Sequence, residues 1–266
     1  MGLQDETAFI TGAGQGLGRA TAVHLSRLGM SVVLNGRRRN RLEEVAGIIE
    51  AEGGRCLIAA GDISDPRQVA EGVQLTLETF GSLEVLVNNA AVIGPPRTLE
   101  DADPAAWKQA MDINVNGAFY CCREALPVMI RQGRGRIINL ISGLASMAYP
   151  RFCSYCASKA ALLQMTRCLA EEFQDKPVQI MALDPGVMDT EMQAEIRSLD
   201  EEKLGPLHKD FLDMKKKDRL RSPQEAAEMI AALAERDRSK DSGRSFAVGD
   251  LIGVKARHIN PAGSDN

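Results

Sequence analysis

The feature that most constrains the fold of this chain is a regular alternation of short apolar runs with longer amphipathic segments. The runs are largely apolar at consecutive positions, which is typical of strands covered on both faces of a sheet. Strands that alternate with helices form βαβ units, so the pattern predicts an α/β fold: a doubly wound parallel sheet of about seven strands with helices on both faces. The predicted strands are Thr7–Thr11, Ser31–Asn35, Cys56–Ala60, Val85–Asn88, Arg136–Ile141, Val178–Leu183 and Ser245–Val248.

One segment breaks this alternation. No Pro-, Gly- or Ser-rich linker divides the chain, so residues 1–266 are expected to form a single domain. Within it, residues 187–219 contain no strand-like run. The segment is either an ordinary amphipathic surface excursion or a lid over a substrate pocket, and we favour the lid because long excursions of this kind are often lids. Its apolar residues, at roughly helical spacing, are Met188, Met192, Ile196, Leu199, Leu204, Leu207, Phe211 and Met214.

Charge and composition argue against several classes of function. The formal net charge is −4, the pI about 5.6 and the aromatic fraction 4%, whereas nucleic-acid binding needs a basic face. No apolar run approaches the roughly 18 residues of a membrane span, and the N-terminus lacks a signal-peptide pattern. We expect a cytoplasmic protein without a nucleic-acid or membrane partner. Cys153 and Cys156 form a C-x-x-C that lacks the second ligand pair of a zinc site, so no metal is expected.

A glycine-rich turn follows the first predicted strand and opens a helix. Its sequence, from Thr11 to Gly18, is T-G-A-G-Q-G-L-G. Glycines permit a tight turn and a close approach of the backbone to a pyrophosphate, and the N-terminus of the helix presents free N–H groups to the phosphates. A purely structural turn is the alternative, but the strand before and the helix after favour a Rossmann-like dinucleotide site. The candidate residues are Gly12, Gln15, Gly16, Leu17 and Gly18.

The end of the second strand bears on the choice of cofactor. Sites for NAD usually place a carboxylate there, to bind the ribose 2′-hydroxyl, and this chain has Gly36 and Arg37 instead. A guanidinium is well suited to pair with a 2′-phosphate. The alternative is that Arg37–Arg41 is a basic loop on the surface. We expect NADP(H) to be preferred, with NAD(H) possible.

Several further motifs occur in a fixed order along the chain. They are Asn88-Asn89-Ala90, Ser142, a Y-x-x-x-K from Tyr155 to Lys159, and Pro185-Gly186 followed by Thr190. Together with the glycine turn, they make the chain resemble the short-chain dehydrogenase/reductases over nearly its whole length. The resemblance implies that the catalytic residues are Asn114, Ser142, Tyr155 and Lys159. It also implies that the cofactor contacts, besides the glycine turn and Arg37, are Asp62, Ile63, Asn89, Ala90, Tyr155, Lys159, Pro185, Gly186 and Thr190.

Tyr155 and Lys159 are four residues apart, so they share one face of a helix. A free tyrosine has a pKa near ~10, and a nearby ammonium is expected to lower it. By resemblance, Tyr155 protonates the developing alkoxide in reduction and removes the hydroxyl proton in oxidation. Ser142 would bond the same oxygen, and Asn114 would hold a water that relays protons to Lys159. The implied function is an NADP(H)-dependent oxidoreductase that interconverts a ketone and a secondary alcohol by hydride transfer.

Two alternatives use the same fold for other purposes. One is a non-catalytic NADP(H)-binding sensor or scaffold, which would be expected to lose Tyr155, Lys159 or Ser142. The other is an epimerase or dehydratase that uses the cofactor differently. The expected pocket wall, formed by Gly143–Pro150, Val92–Arg97 and the excursion, is mainly apolar and favours an apolar substrate. The wall residues are Ala145, Met147, Ala148, Tyr149 and Met192.

Apolar positions on two predicted helices bear on the oligomeric state. These helices, Val115–Arg131 and Ser154–Phe173, form a subunit interface in the family, so we expect a homodimer or homotetramer. Burial in the core of the monomer is the competing explanation. The positions are Phe119, Leu126, Met129, Leu162, Leu163, Met165 and Leu169.

Overall fold

The structure, a computed structural model, describes residues 2–205, 207–235 and 241–247. Its seven strands form one parallel sheet with the order β3-β2-β1-β4-β5-β6-β7, which confirms the predicted fold class. The predicted strand positions agree with the structure to within about two residues, and Val248 lies outside the described residues. The strands are β1 Thr7–Thr11, β2 Ser31–Gly36, β3 Arg55–Ala60, β4 Val85–Asn88, β5 Gly135–Leu140, β6 Val178–Asp184 and β7 Ser245–Ala247.

Helices connect the strands and cover both faces of the sheet. Several begin at signals that the sequence carries: Asp65 and Asp103 each cap a helix whose first residue is proline, accepting bonds from backbone N–H groups. A π-helical turn, Asp112–Gly117, joins the fourth helix to the fifth. The helices are α1 Gly16–Arg27, α2 Arg39–Ala51, α3 Pro66–Phe80, α4 Pro104–Met111, α5 Ala118–Gln132, α6 Cys153–Glu172, α7 Glu191–Ser198, α8 Glu201–Leu204, α9 Leu207–Lys216 and α10 Pro223–Ala234.

The core lies on both sides of the sheet, which explains why the strands are apolar at consecutive positions. Along β1, Phe9 enters the cluster that α3 and α5 cover, whereas Ile10 enters the cluster beneath α1 and α10. Both side chains are almost completely buried. Burying such a side chain contributes roughly 1.5–3 kcal/mol to the stability of the fold. Each face of the sheet is therefore covered by its own layer of helices.

The strand order reverses direction at the pair β1 and β4. The chain moves outward from β1 to β2 and β3, then returns to place β4 on the other side of β1. Ligands of open α/β sheets bind at such a switch point, beyond the carboxyl ends of the strands. At the amino ends of β1 and β4, the buried carboxylate of Glu84 accepts a hydrogen bond from Thr7 N at 2.8 Å and forms an ion pair with Arg134 at 2.9 Å.

The excursion, residues 187–219, folds as α7, α8 and α9. Its beginning is fixed to its end by two backbone bonds, from Asp189 N to Arg221 O and from Arg221 N to Val187 O, both 2.9 Å. Among the described residues, no helix has the length and apolar character that crossing a membrane requires.

Candidate active site

A cavity of about 240 Å³ lies along the carboxyl ends of the strands, across the switch point. Most of the predicted cofactor residues line it, although they are far apart in the sequence. Four predicted site residues lie outside this lining: Gly18, Asn114, Ser142 and Gly186. The predicted residues in the lining are Gly12, Gln15, Gly16, Leu17, Arg37, Asp62, Ile63, Asn89, Ala90, Tyr155, Lys159, Pro185 and Thr190.

The glycine turn packs the start of α1 closely against the end of β1. Gly16, the first residue of α1, has a φ of 53°, which only glycine adopts readily. Gly18 packs so closely that a β-carbon there would lie 2.2 Å from the carbonyl oxygen of Gly12. Gly18 therefore lies outside the cavity lining because its role is to let the helix approach the turn.

Thr11 and Asn89 hold the two strand ends together. The hydroxyl of Thr11 accepts bonds from the backbone N–H groups of Asn89 (2.9 Å) and Ala90 (3.0 Å). The side-chain amide of Asn89 donates to Thr11 O at 2.8 Å. These bonds fix the floor of the cavity at the switch point, and they give Thr11 a role that its place in the motif alone did not reveal.

Basic side chains surround the end of the cavity beyond β2. Arg37 lies 3.8 Å from a carboxylate oxygen of Asp62, and Arg38 donates a hydrogen bond to the side chain of Gln15. Arg41, on α2, also lines the cavity. Of these three arginines, only Arg37 was predicted as a site residue. The basic run that directly follows β2 is the signal that could have identified Arg38 and Arg41.

Tyr155 and Lys159 lie near the start of α6 and both line the cavity. The ammonium nitrogen of Lys159 donates to Leu140 O at 2.6 Å and lies 5.6 Å from the centroid of the Tyr155 ring. Lys159 is buried, and burial lowers its pKa to about 8, so the side chain still carries its charge at neutral pH.

The expected effect of Lys159 on Tyr155 is wrong in this structure. Burial raises the pKa of Tyr155 to about 12, and the nearby carboxylate of Asp184 acts in the same direction. Removing the phenol from water penalises the phenolate, so the pKa of Tyr155 rises instead of falling. At neutral pH Tyr155 is therefore a phenol, the form that can give a proton to an alkoxide.

Ser142 and Asn114 lie just outside the cavity lining. Ser142 follows β5, and its Oγ accepts a bond from Leu144 N at 3.3 Å. The side-chain amide of Asn114 exchanges two 2.8 Å bonds with the backbone of Val92 and donates to Ser158 Oγ at 3.0 Å. These bonds tie the loop after β4 to α6, which carries Tyr155. The water relay through Asn114 stays a prediction.

The loop after β6 brings the excursion over the glycine turn. Gly186 N donates to a carboxylate oxygen of Asp184 at 3.0 Å, which turns the chain after Pro185. A β-carbon on Gly16 would lie 3.4 Å from both Thr190 Cγ2 and a carboxylate oxygen of Glu191. Thr190 thus lines the cavity beside the glycine turn, and its contact with the cofactor stays a prediction. Glu191 is a cavity residue for which the sequence offered no signal.

The helices of the excursion bury an apolar cluster against the active-site loops. Rings of Tyr149, Phe152 and Phe211 lie 5.7–6.2 Å apart, and Ile93 and Tyr155 join the same cluster. Every predicted apolar position of the excursion except Met188 belongs to it. These positions are Met192, Ile196, Leu199, Leu204, Leu207, Phe211 and Met214.

The residues of the expected pocket wall do not all belong to one apolar cluster. Met147 is 58% exposed, and Ala148 is also exposed, so neither belongs to the apolar cluster. Ala145 packs against a different cluster, which contains Leu162. Phe152, which was not predicted, is a buried member of the apolar cluster together with Tyr149.

Comparisons with known proteins point to one family. The family model described as short chain dehydrogenase matches residues 6–201. A cyclohexanol dehydrogenase of Acinetobacter sp. (strain SE19) is 29% identical, over 92% of this chain and 93% of that protein. A cis-4-hydroxycyclohexanecarboxylate dehydrogenase of Sinomonas cyclohexanicum is 32% identical, over 94% and 95%.

Among solved structures, a levodione reductase superposes with a TM-score of 0.84 at 28% identity, covering 92% of this chain and 96% of its own. The glycine turn, the Tyr155–Lys159 pair and these matches lead to one conclusion. The chain belongs to the short-chain dehydrogenase/reductase family, as an oxidoreductase that acts on CH–OH groups and binds NAD(P).

Proposed function

We propose that this chain is an NADP(H)-dependent oxidoreductase that interconverts apolar cyclic ketones and secondary alcohols, with Tyr155 as the general acid and base. One observation carries the proposal: a single cavity is lined by Tyr155 and Lys159 beside β5 and β6, and by arginines beyond β2. The two groups lie toward opposite ends of the sheet, as the two ends of a dinucleotide require.

The residues at the glycine turn fit a pyrophosphate. Gly16 lines the cavity, where a β-carbon would approach Thr190 and Glu191, and α1 begins at this residue, so its free N–H groups lie at the glycine turn. When bound there, the dinucleotide supplies the hydride for reduction or takes it up in oxidation. The chain's own residues must then orient the substrate and move one proton.

Tyr155 and Ser142 are the groups that handle the substrate oxygen. Because Tyr155 is a phenol at neutral pH, its proton is in place for transfer to an alkoxide. Positioned proton transfer of this kind contributes about 10²–10⁴-fold. The Ser142 hydroxyl accepts from Leu144 N, which leaves its own hydrogen to donate to the same oxygen. Lys159 keeps a positive charge next to the Tyr155 ring.

The preference for NADP(H) rests on three guanidinium groups. Arg37, Arg38 and Arg41 line the same end of the cavity. A phosphate monoester carries between one and two negative charges at neutral pH, and guanidinium groups bind it in a bidentate manner. Asp62, 3.8 Å from Arg37, is the nearby acid, so NAD(H) remains a second possible cofactor.

The proposed substrate class rests on the apolar cluster and on the relatives. Tyr155 and Met192 belong to the cluster and also line the cavity, so they offer hydrophobic surface to a ring. The names of two relatives refer to alcohols on a cyclohexane ring. A compact cyclic ketone or secondary alcohol therefore suits this wall better than a highly charged substrate.

The test compares NADPH and NADH oxidation with cyclohexanone, its alkyl-substituted forms, open-chain ketones of equal carbon number and β-ketoesters. We expect turnover that favours NADPH and cyclic ketones, and a loss of at least about 10³-fold in kcat for Tyr155→Phe with little change in the Kd of NADPH. Tight NADPH binding without turnover on any ketone or alcohol would instead favour the sensor or scaffold.

We also propose a cytoplasmic homodimer or homotetramer. Of the positions expected at the interface, Leu126, Met129, Leu162 and Leu163 are buried within the monomer, so the competing explanation applies to them. Phe119 on α5 remains 46% exposed and supports an interface. Light scattering on the purified protein tests this, and a monomer at micromolar concentration would contradict it.

A further inference from the structure

Arg151 joins the loop before α6 to the excursion. Its Nη1 donates to the backbone oxygens of Glu202 at 2.5 Å and Lys203 at 3.2 Å, in the last turn of α8. Carbonyl groups at the end of a helix have no partner within the helix, and arginine side chains can bond them. Arg151 therefore binds the backbone of α8, whatever side chains α8 carries.

Gly205 completes this contact from the side of the excursion. It follows α8 with a φ of 58°, and a β-carbon on it would lie 3.0 Å from Nε and 3.3 Å from Cζ of Arg151. The guanidinium group thus packs directly against the backbone of Gly205. A larger residue there would be strained and would also displace the guanidinium.

The backbone of Arg151 is itself unusual, because its φ is 65°. A non-glycine residue in the left-handed region persists only where its surroundings hold it there. The next residue, Phe152, is buried and its ring lies 5.7 Å from that of Phe211 on α9. The turn thus sends one side chain to α8 and the next into the apolar cluster, a few residues before Tyr155.

We infer that Arg151 is a positioning residue that holds α8 and α9 against the loop before Tyr155, and so fixes the apolar wall beside the reacting group. The inference rests on the proposed function in one respect, since the wall is taken to contact a ketone or alcohol. Arg151 supplies the polar part of the contact, and Phe152 with Phe211 supplies the apolar part.

The variant Arg151→Gly tests the inference without straining the fold, because glycine accepts the positive φ and lacks only the side chain. The matched control is Glu202→Gln. It removes a 3.6 Å ion pair with Arg97 in which Glu202 is 85% exposed, but it leaves the carbonyl that Arg151 binds. Arg151→Lys is the conservative variant, with one cationic donor group retained.

Two measurements follow: amide hydrogen exchange of residues 201–204 and 207–216, and steady-state kinetics with cyclohexanone at saturating NADPH. For Arg151→Gly we expect exchange about tenfold faster in these segments, and KM raised about fivefold with kcat changed less than about twofold. The Kd of NADPH stays the same. Arg151→Lys gives intermediate values, and Glu202→Gln behaves as the wild type.

Unchanged exchange in Arg151→Gly would overturn the inference, and so would faster exchange with an unchanged KM, because Arg151 would then not act on the wall. Lack of turnover by the wild-type protein would refute the proposed function alone. The exchange measurement would still decide whether Arg151 holds α8 and α9.

Discussion

The two ends of the cavity are built in different ways. At the end near β1, the surface is largely backbone: the glycine turn, the start of α1 and strand ends joined by Thr11 and Asn89, with the arginines beyond β2 next to it. At the end beneath the excursion, the surface includes the side chains of Tyr155 and Met192, which belong to the same apolar cluster as the buried rings of Phe152 and Phe211. A backbone surface admits few sequences, whereas a packed apolar cluster admits many combinations of similar volume.

This difference explains why the first end can be recognised in the sequence and the second cannot. A position that tolerates only glycine is occupied by glycine in every chain with that turn. A wall of aromatic and aliphatic residues leaves only apolar residues at helical spacing, which any covered helix also shows. We therefore expect substitutions at the first end to change cofactor binding, and substitutions at the second end to change substrate binding while cofactor binding stays the same.

The largest effect is expected for Gly18→Ala. A β-carbon there would lie 2.2 Å from Gly12 O and 2.6 Å from Nδ2 of Asn89, and the backbone carbonyl cannot move without opening the turn. We expect the free energy of unfolding to fall by about 2–3 kcal/mol and the Kd of NADPH to rise more than about 100-fold. Urea denaturation and fluorescence titration measure the two quantities.

Gly47→Ala is the matched control for this substitution. Gly47 lies within α2, and a β-carbon there would have no neighbour within 4 Å. Alanine is the better helix former, so this variant should gain up to ~1 kcal/mol in the free energy of unfolding with an unchanged Kd of NADPH. If Gly18→Ala bound NADPH as tightly as Gly47→Ala does, the backbone account of the cofactor end would be wrong.

The sequence predicted those parts of the molecule that depend on local pattern. The order of strands and helices, the glycine turn and the Tyr155–Lys159 spacing all follow from residues close together in the chain, and the structure has each of them. The substrate wall was predicted only in outline, since Met147 is exposed and the buried Phe152 of the apolar cluster was not predicted.

The predicted pKa of Tyr155 failed for a physical reason. The sequence shows that Lys159 is one helical turn away, but it does not show how much of Tyr155 is removed from water. Burial depends on α6 packing beneath the excursion, and it raises the pKa instead of lowering it. The bonds of Asn114 to Val92 and Ser158 were missed similarly, because both partners are distant in the sequence.

The next largest effect is expected for Arg37→Asp, which exchanges a cation for an anion beyond β2. The carboxylate should repel a 2′-phosphate and accept a bond from a ribose hydroxyl. We expect the ratio of kcat/KM for NADPH to that for NADH to fall about 100-fold. Arg39→Asp makes the same charge change on α2, where Arg39 pairs with Glu43 and does not line the cavity. An equal fall in both variants would show a general electrostatic effect rather than recognition by Arg37.

A smaller effect is expected from pH. Lys159 has a pKa of about 8, so it loses its charge as the pH rises through that value, whereas Tyr155 keeps its proton until about 12. We expect kcat/KM for NADPH-dependent reduction to be constant near pH 6–7 and to fall about tenfold between pH 7 and 9. Profiles in buffers of constant ionic strength test this. A value of kcat/KM that stays constant up to pH 10 would show that the charge of Lys159 takes no part in the mechanism.

The smallest effect, and the one that most sharpens the comparison, is expected for Phe211→Leu. Phe211 is buried against Phe152 and Tyr149, and leucine fills the site without the ring contacts.

The matched control is Phe80→Leu, which makes the same change at the end of α3, where Phe80 packs against a different cluster. Both variants should lose about 1 kcal/mol of the free energy of unfolding. Only Phe211→Leu should raise KM for cyclohexanone, by about threefold, with an unchanged Kd of NADPH. Equal KM values for cyclohexanone in the two variants would mean that α9 packs beside the site without shaping it. The two ends of the cavity would then differ in how well the sequence predicts them, but not in how substitutions affect substrate binding.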